Sequence, residues 1–163
     1  MIRELRRAAC IAVGLAIAGS TSALAQKKPA AVASKLPDGK AIFTITCAAC
    51  HRAGGEGLEG TYPPLAESEW VAGDEAKVVR IILHGLTGPV DVAGQTFNGA
   101  MPPWGATLKD ADIAAVATYV RGAWGNSAAP ITAARVTAIR AATKSRKTPW
   151  TVAELALVPA TKK

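Results

Sequence analysis

The chain has 163 residues, half of them hydrophobic, and a formal net charge of +7. That length is one domain, or one domain with trimmings. The charge is uneven: residues 26–35 carry three basic groups and no acids, residues 36–129 six basic and ten acidic, and residues 130–163 seven basic and one acidic. A nucleic-acid-binding surface concentrates positive charge on a folded face with interleaved aromatics, so this pattern of an acidic middle and basic ends argues against that class.

In chain order, the first segment reads as a targeting sequence. Arg3, Arg6 and Arg7 form a basic start, Ala8 to Ala18 an apolar run, and Ala23-Leu24-Ala25 a small-x-small cleavage site. Residues 1–25 are therefore expected to be a cleaved secretory signal peptide, with an uncleaved membrane anchor as the lesser alternative. The apolar run is short for a bilayer span, and Ser20, Thr21 and Ser22 break it up. Residues 26–36, rich in Ala, Lys and Pro, read as a flexible leader.

Asp38 is a plausible N-cap for an amphipathic helix whose apolar face holds Ala41, Ile42, Ile45 and Ala48. That helix is expected to carry Cys47-Ala48-Ala49-Cys50-His51 at its end and to stop at Gly54 and Gly55. Two thiols three residues apart with an imidazole immediately after form the attachment pattern of a c-type haem. Each thiol adds to one vinyl group, and the histidine is carried under the iron as proximal ligand. A disulfide between Cys47 and Cys50 would close a very short loop and staple little. A thioredoxin-like use would need a preceding strand and a βαβ pattern, and neither is evident. Cys10 leaves with the signal, so export and a haem motif agree: this haem is joined outside the cytoplasm.

Residues 53–66 form a glycine- and proline-rich loop. With no preceding strand and no correctly placed lysine, it does not read as a phosphate-binding loop. Glycines let such a loop pass close to a flat cofactor. A carbonyl within it, with Pro63 favoured, is expected to accept the second ring proton of His51. A short helical turn around Trp70 follows. Asp74 then caps a helix with Val78, Ile81 and Ile82 on one face, ended by His84-Gly85. Residues 89–92 and 95–98 are β-capable on either side of Ala93-Gly94, a possible short hairpin. Gly99-Ala100-Met101-Pro102-Pro103-Trp104-Gly105 is irregular, because prolines forbid a helix there. Asp110 and Asp112 begin the strongest helix, with Ile113, Val116, Ala117 and Val120 as its buried stripe. Beyond Pro130, Thr132 is expected to cap a further helix carrying Val136, Ile139 and Thr143.

A haem held by one histidine leaves the far iron position to be filled. After signal removal Met101 is the one methionine and His84 the one histidine besides His51. Met101 lies on the Pro-Pro segment about fifty residues beyond His51, far enough to fold over the opposite face. It is the expected distal ligand, with His84 or an open position as alternatives. Trp104 is a candidate haem contact or a core residue. The thioether is a soft ligand that raises the reduction potential, and two retained ligands exclude substrate, as an electron carrier requires.

Cys47 to His51, Tyr62-Pro63-Pro64-Leu65, Leu83-His84-Gly85, Asn98 to Trp104 and Tyr119-Val120-Arg121 together resemble bacterial monohaem class I cytochrome c domains over about residues 36–127. Trp124-Gly125-Asn126 and Val136-x-x-x-Arg140 resemble the subtype found as a subunit or fused domain of periplasmic dehydrogenases and some copper nitrite reductases. The resemblance implies an all-α bundle around one haem c, with its N- and C-terminal helices crossing. It also implies thioether sites at Cys47 and Cys50, His51 as proximal and Met101 as distal ligand. Lys109 stands where the family commonly has a Ser or Thr cap. The expected organisation is a haem domain over 37–127 and a basic helical extension over 128–163, the latter either solvated or docking an acidic partner. The expected role is that of a periplasmic one-electron carrier between a dehydrogenase and a terminal reductase or oxidase, and not an enzyme itself. The rivals are a permanently bound subunit and a ligand-binding haem sensor or peroxidase.

Overall fold

The computed structural model describes residues 37–159, and these all fall within one unit. The expected signal peptide and leader lie outside the described residues. The element order is α1 (Gly39–Thr46), α2 (Ala48–His51), α3 (Glu69–Ala72), α4 (Glu75–His84), β1 (Leu86–Val92), β2 (Gln95–Met101), α5 (Asp110–Gly122), α6 (Ala133–Ala142) and α7 (Val152–Ala156).

The expectation of an all-α fold is overturned. Strands β1 and β2 pair antiparallel over their full lengths, from Leu86 opposite Met101 to Val92 opposite Gln95. The hairpin has a core of its own, in which Val90, Val92 and Phe97 are buried and Trp70, Leu86 and Val152 pack against them. The alternation of Val90, Val92 and Phe97 with exposed Asp91 and Thr96 is the period-2 pattern of a half-buried sheet. Met101 correspondingly ends a strand, where the sequence suggested irregular chain. The prolines act one residue later, at 102 and 103, and end the ladder.

The first helix is interrupted at Cys47, whose φ of −114° separates α1 from the single turn of α2. Asp38 caps α1 by accepting from the Lys40 and Ala41 amides at 3.0 and 3.1 Å. Its buried residue is Phe43, whereas Ile45, assigned to the buried face from the sequence, is 82% exposed. Phe43 sits among Tyr119 and Trp124, with ring centroids 4.9 to 5.8 Å apart in tilted and edge-on arrangements. Here α1 crosses α5 so closely that a Cβ at Gly39 would lie 2.2 Å from the Ala115 carbonyl oxygen.

Helix α5 carries its expected stripe: Ile113, Val116, Ala117 and Val120 are all buried. At its start the Asp112 carboxylate accepts the Lys109 amide at 3.0 Å. A lysine has no acceptor to return that bond, so the helix begins on half of a capping box. Ile131, Val136 and Ile139, the last two on α6, share one core with Val79 and Leu83 of α4 and Ile113 and Ala117 of α5. The arginines of this C-terminal segment are turned to internal work. Arg135 pairs with Glu75 at 2.7 Å, Arg140 with Asp110 at 2.6 Å and Arg146 with Glu154 at 2.7 Å.

Candidate cofactor site

Helix α4 is apolar on two faces for two reasons. Ala76, Val79 and Leu83 are buried in the core, while Val78, Ile81 and Ile82 line a large cleft, Val78 and Ile82 also packing against that core. The sequence reading singled out the second set; the first is what anchors the helix.

That cleft opens to solvent, with about 1380 Å³ of empty space counted across its mouth. Its walls include Phe43, Val116 and Val120 on one side and Val90, Val92 and Phe97 of the hairpin on another. Cys47, Cys50, His51, Pro63, Met101 and Trp104 all line it. Residues from α1, α2, the loop after α2, β2 and the turn before α5 thus converge on one apolar space. Both cysteines are half-buried, and neither is in a disulfide among the described residues. Trp70 also lines the cleft, but its indole N–H is spent on the Asp91 carbonyl at 2.9 Å. His84 does not line it; its Nε2 lies 2.7 Å from Thr143 Oγ1. Because that hydroxyl donates to the Ile139 carbonyl, His84 is the donor to Thr143.

His51 Nδ1 is 3.0 Å from the Pro63 carbonyl oxygen. A carbonyl only accepts, so Nδ1 carries the proton and Nε2 holds the free lone pair. Burial pushes the imidazole pKa below its usual value, and the Pro63 bond opposes that shift. Burial also raises the Cys47 thiol, against a hydrogen bond with Thr46 and with a small upward push from Cys50. The Pro63 carbonyl is held by a tight turn. Gly57 adopts φ +70°, donates its amide to the His51 carbonyl at 3.0 Å, and leaves no room for a Cβ, which would fall 2.3 Å from the Tyr62 carbonyl oxygen.

This arrangement suits a flat, largely apolar cofactor. Val78, Ile81 and Ile82 turn apolar surface toward it, and its walls carry one imidazole with a fixed tautomer and one thioether. No group of three or more His, Cys, Asp or Glu that could hold a bare metal ion exists among the described residues. An apolar cleft whose walls carry an imidazole and a thioether fits an iron porphyrin.

The comparisons with known proteins agree. Residues 34–120 match the family described as "Cytochrome C oxidase, cbb3-type, subunit III". Cytochrome c-552 of Thermus thermophilus is 38% identical over 113 residues, covering 64% of this chain and 85% of that protein. The gluconate 2-dehydrogenase cytochrome c subunit of Pantoea cypripedii is 36% identical over 105 residues, 63% of this chain and 24% of that protein. The cbb3-type cytochrome c oxidase subunit FixP of Azorhizobium caulinodans is 37% identical over 101 residues, 61% of this chain and 33% of that protein. The fold and cleft are those of a c-type haem protein. The chain belongs to this cytochrome c family, its cofactor is covalently attached haem c, and its activity is electron transfer.

Sequence reasoning missed two features near the site. Helix α7 was not foreseen, although Thr151-x-x-Glu154 is a capping-box signature: each side chain accepts the other's backbone N–H. Trp150, just before it, went unremarked, and its role depends on contacts remote in sequence.

Proposed function

We propose that the protein is an exported one-electron carrier whose haem is joined through Cys47 and Cys50 and ligated by His51 and Met101. The supporting observation is that both thiols, the imidazole and the thioether line one apolar cleft, while His84, the other histidine, is engaged with Thr143. Haem c in this cleft supplies reversible one-electron exchange at iron. The polypeptide supplies the conditions for it. Pro63 orients His51, the apolar walls exclude water, and Met101 closes the far side to substrates. Trp104, half-buried at the cleft, completes the wall on the side where the Pro102-Pro103 turn leaves β2.

The partners we infer are a dehydrogenase as donor and a terminal reductase or oxidase as acceptor. Relatives named as subunits of gluconate 2-dehydrogenase and of a cbb3-type oxidase favour this reading, although the chain spans only a quarter to a third of their length. Those same relatives support a permanently bound subunit as the second reading. Among the described residues no helix is long and apolar enough to cross a membrane. The periplasm is the proposed location, on the strength of the basic, apolar, Ala-Leu-Ala start of the sequence.

The decisive measurement is the absorption spectrum of the ferric holoprotein with its Met101→Ala variant. A Met-to-iron charge-transfer band in the wild type that disappears in the variant, with a fall in potential, is the expected result. An unchanged spectrum in the variant would remove Met101 as ligand.

A further inference from the structure

We propose that Trp150 is a positioning residue for Met101, acting through strand β1, so that the C-terminal segment governs how firmly the thioether stays on the iron. This rests on Met101 being the distal ligand.

Leu86 is the link. In the hairpin register it stands opposite Met101, and on its other side it forms a parallel bridge with Trp150. The Trp150 amide donates to the Gly85 carbonyl at 3.0 Å, and the Thr87 amide donates to the Trp150 carbonyl at 2.8 Å. One residue of the tail therefore acts as a third strand, occupying backbone groups that an edge strand would leave open. The contact between the start of β1 and the end of β2 has no slack. Gly85 has φ +83°, and a Cβ there would fall 2.4 Å from the Met101 carbonyl oxygen. Displacing the Met101 backbone thus means displacing residues 85–86, which Trp150 pins.

The pin is itself fixed. The Arg146 guanidinium lies 3.6 Å from the centre of the Trp150 ring, a close cation–π contact. Arg146 also donates to the Thr148 carbonyl at 2.9 Å, the Pro149 carbonyl at 2.7 Å and Glu154 at 2.7 Å. Directly beyond, Val152 of α7 packs against the buried hairpin residues Val90, Val92 and Phe97. The indole Nε1 is buried and donates to nothing among the described residues. The ring works through its bulk and stacking, and a phenylalanine should replace it.

A soft methionine ligand detaches some of the time, and an external ligand binds only to that open fraction. A brace on β1 lowers the fraction without touching the iron. The test is imidazole titration of the full-length ferric holoprotein. Trp150→Ala should raise apparent imidazole affinity about tenfold, equivalent to about 1.4 kcal/mol, while Trp150→Phe should stay within about twofold of wild type. Val136→Ala, a change in the core of α4, α5 and α6 and not in that of the hairpin, should leave the affinity unchanged, which separates positioning from general loosening. Unchanged affinity in a folded Trp150→Ala protein, or an equal rise in Val136→Ala, would overturn the proposal. If Trp150→Ala yields no folded holoprotein, Arg146→Ala decides: a smaller rise supports the brace and no rise refutes it. Met101→Ala separates the two layers of inference. Affinity equal to wild type there sinks the ligand assignment itself, whereas a rise there without one in Trp150→Ala sinks only the brace.

Discussion

The Pro63 carbonyl accepts the Nδ1 proton of His51 at 3.0 Å, and it is held in place by a turn in which Gly57 cannot be replaced without a clash. A backbone acceptor on a rigid loop fixes the tautomer and the ring plane together. The loop, not only the Cys-x-x-Cys-His segment, therefore determines how the imidazole is presented.

Gly57→Ala should disturb that bond directly. The added methyl meets the Tyr62 and Pro63 carbonyls at 2.3 and 2.8 Å, on a residue whose positive φ already disfavours a side chain. We expect a stability loss of about 1–3 kcal/mol by thermal melting of the holoprotein. Potentiometric titration should show a higher reduction potential, because a weaker hydrogen bond makes the imidazole less basic and favours ferrous iron. An unshifted potential would mean that the Pro63 contact does not tune the ligand.

Cys50→Ala leaves one thiol for attachment. Haem staining of a denaturing gel should drop strongly relative to total protein. Undiminished staining would refute covalent attachment through this residue.

Acid should loosen the C-terminal brace. Glu154 is held down at about 2 by its hydrogen bond from Arg146, with further bonds from the Thr151 amide and hydroxyl. Its folded-state pKa lies below the unfolded value, so its contribution to stability is present above the ordinary carboxylate range and is lost as pH falls toward 2. Wild type minus Glu154→Gln, measured as melting temperature against pH, should be positive near neutrality and shrink through that window. A difference independent of pH would show that the Arg146 pair contributes nothing.

Arg140 ties α6 to the segment that leads out of the Met101 turn. It bonds the Asp110 carboxylate and the carbonyls of Gly105 and Leu108. Burial alone would raise the Asp110 pKa, but the hydrogen bonds from Thr137 and Arg140 outweigh it and hold the group low. Arg140→Ala should cost about 1–3 kcal/mol by chemical denaturation, since it leaves several polar groups without their donor. Lys144 and Lys147, exposed on the same segment, should be neutral for stability when changed to alanine. If the tail docks an acidic partner, it is these lysines whose loss should weaken copurification with a dehydrogenase.

Much of this was legible locally. The thiol spacing, the Asp38 and Asp74 caps and the period of Ile113, Val116, Ala117 and Val120 are short-range signals, and each stands in the structure as an element or a neighbour pair. The misreadings share a cause. Ile45 was assigned to the core because it is apolar at a plausible spacing, yet the face of α1 that packs is set by where α5 crosses it. The sheet was undervalued because Gly88, Pro89 and Gly99 are poor strand residues. What sustains it is burial of Val90, Val92 and Phe97 against Trp70 and Val152, contacts remote in sequence.

The sequence by itself determined the cofactor chemistry, since two thiols and an imidazole at that spacing are a covalent pattern that survives without knowledge of the fold. Only the tertiary structure decided what surrounds it. It made the basic tail part of the fold, turning Arg135, Arg140 and Arg146 inward to carboxylates. It also put Trp150 beside the strand that pairs with Met101. The physical reason is range: attachment needs residues within one helical turn, whereas long-range ion pairs and strand neighbours depend on chain segments that meet only when the core is packed.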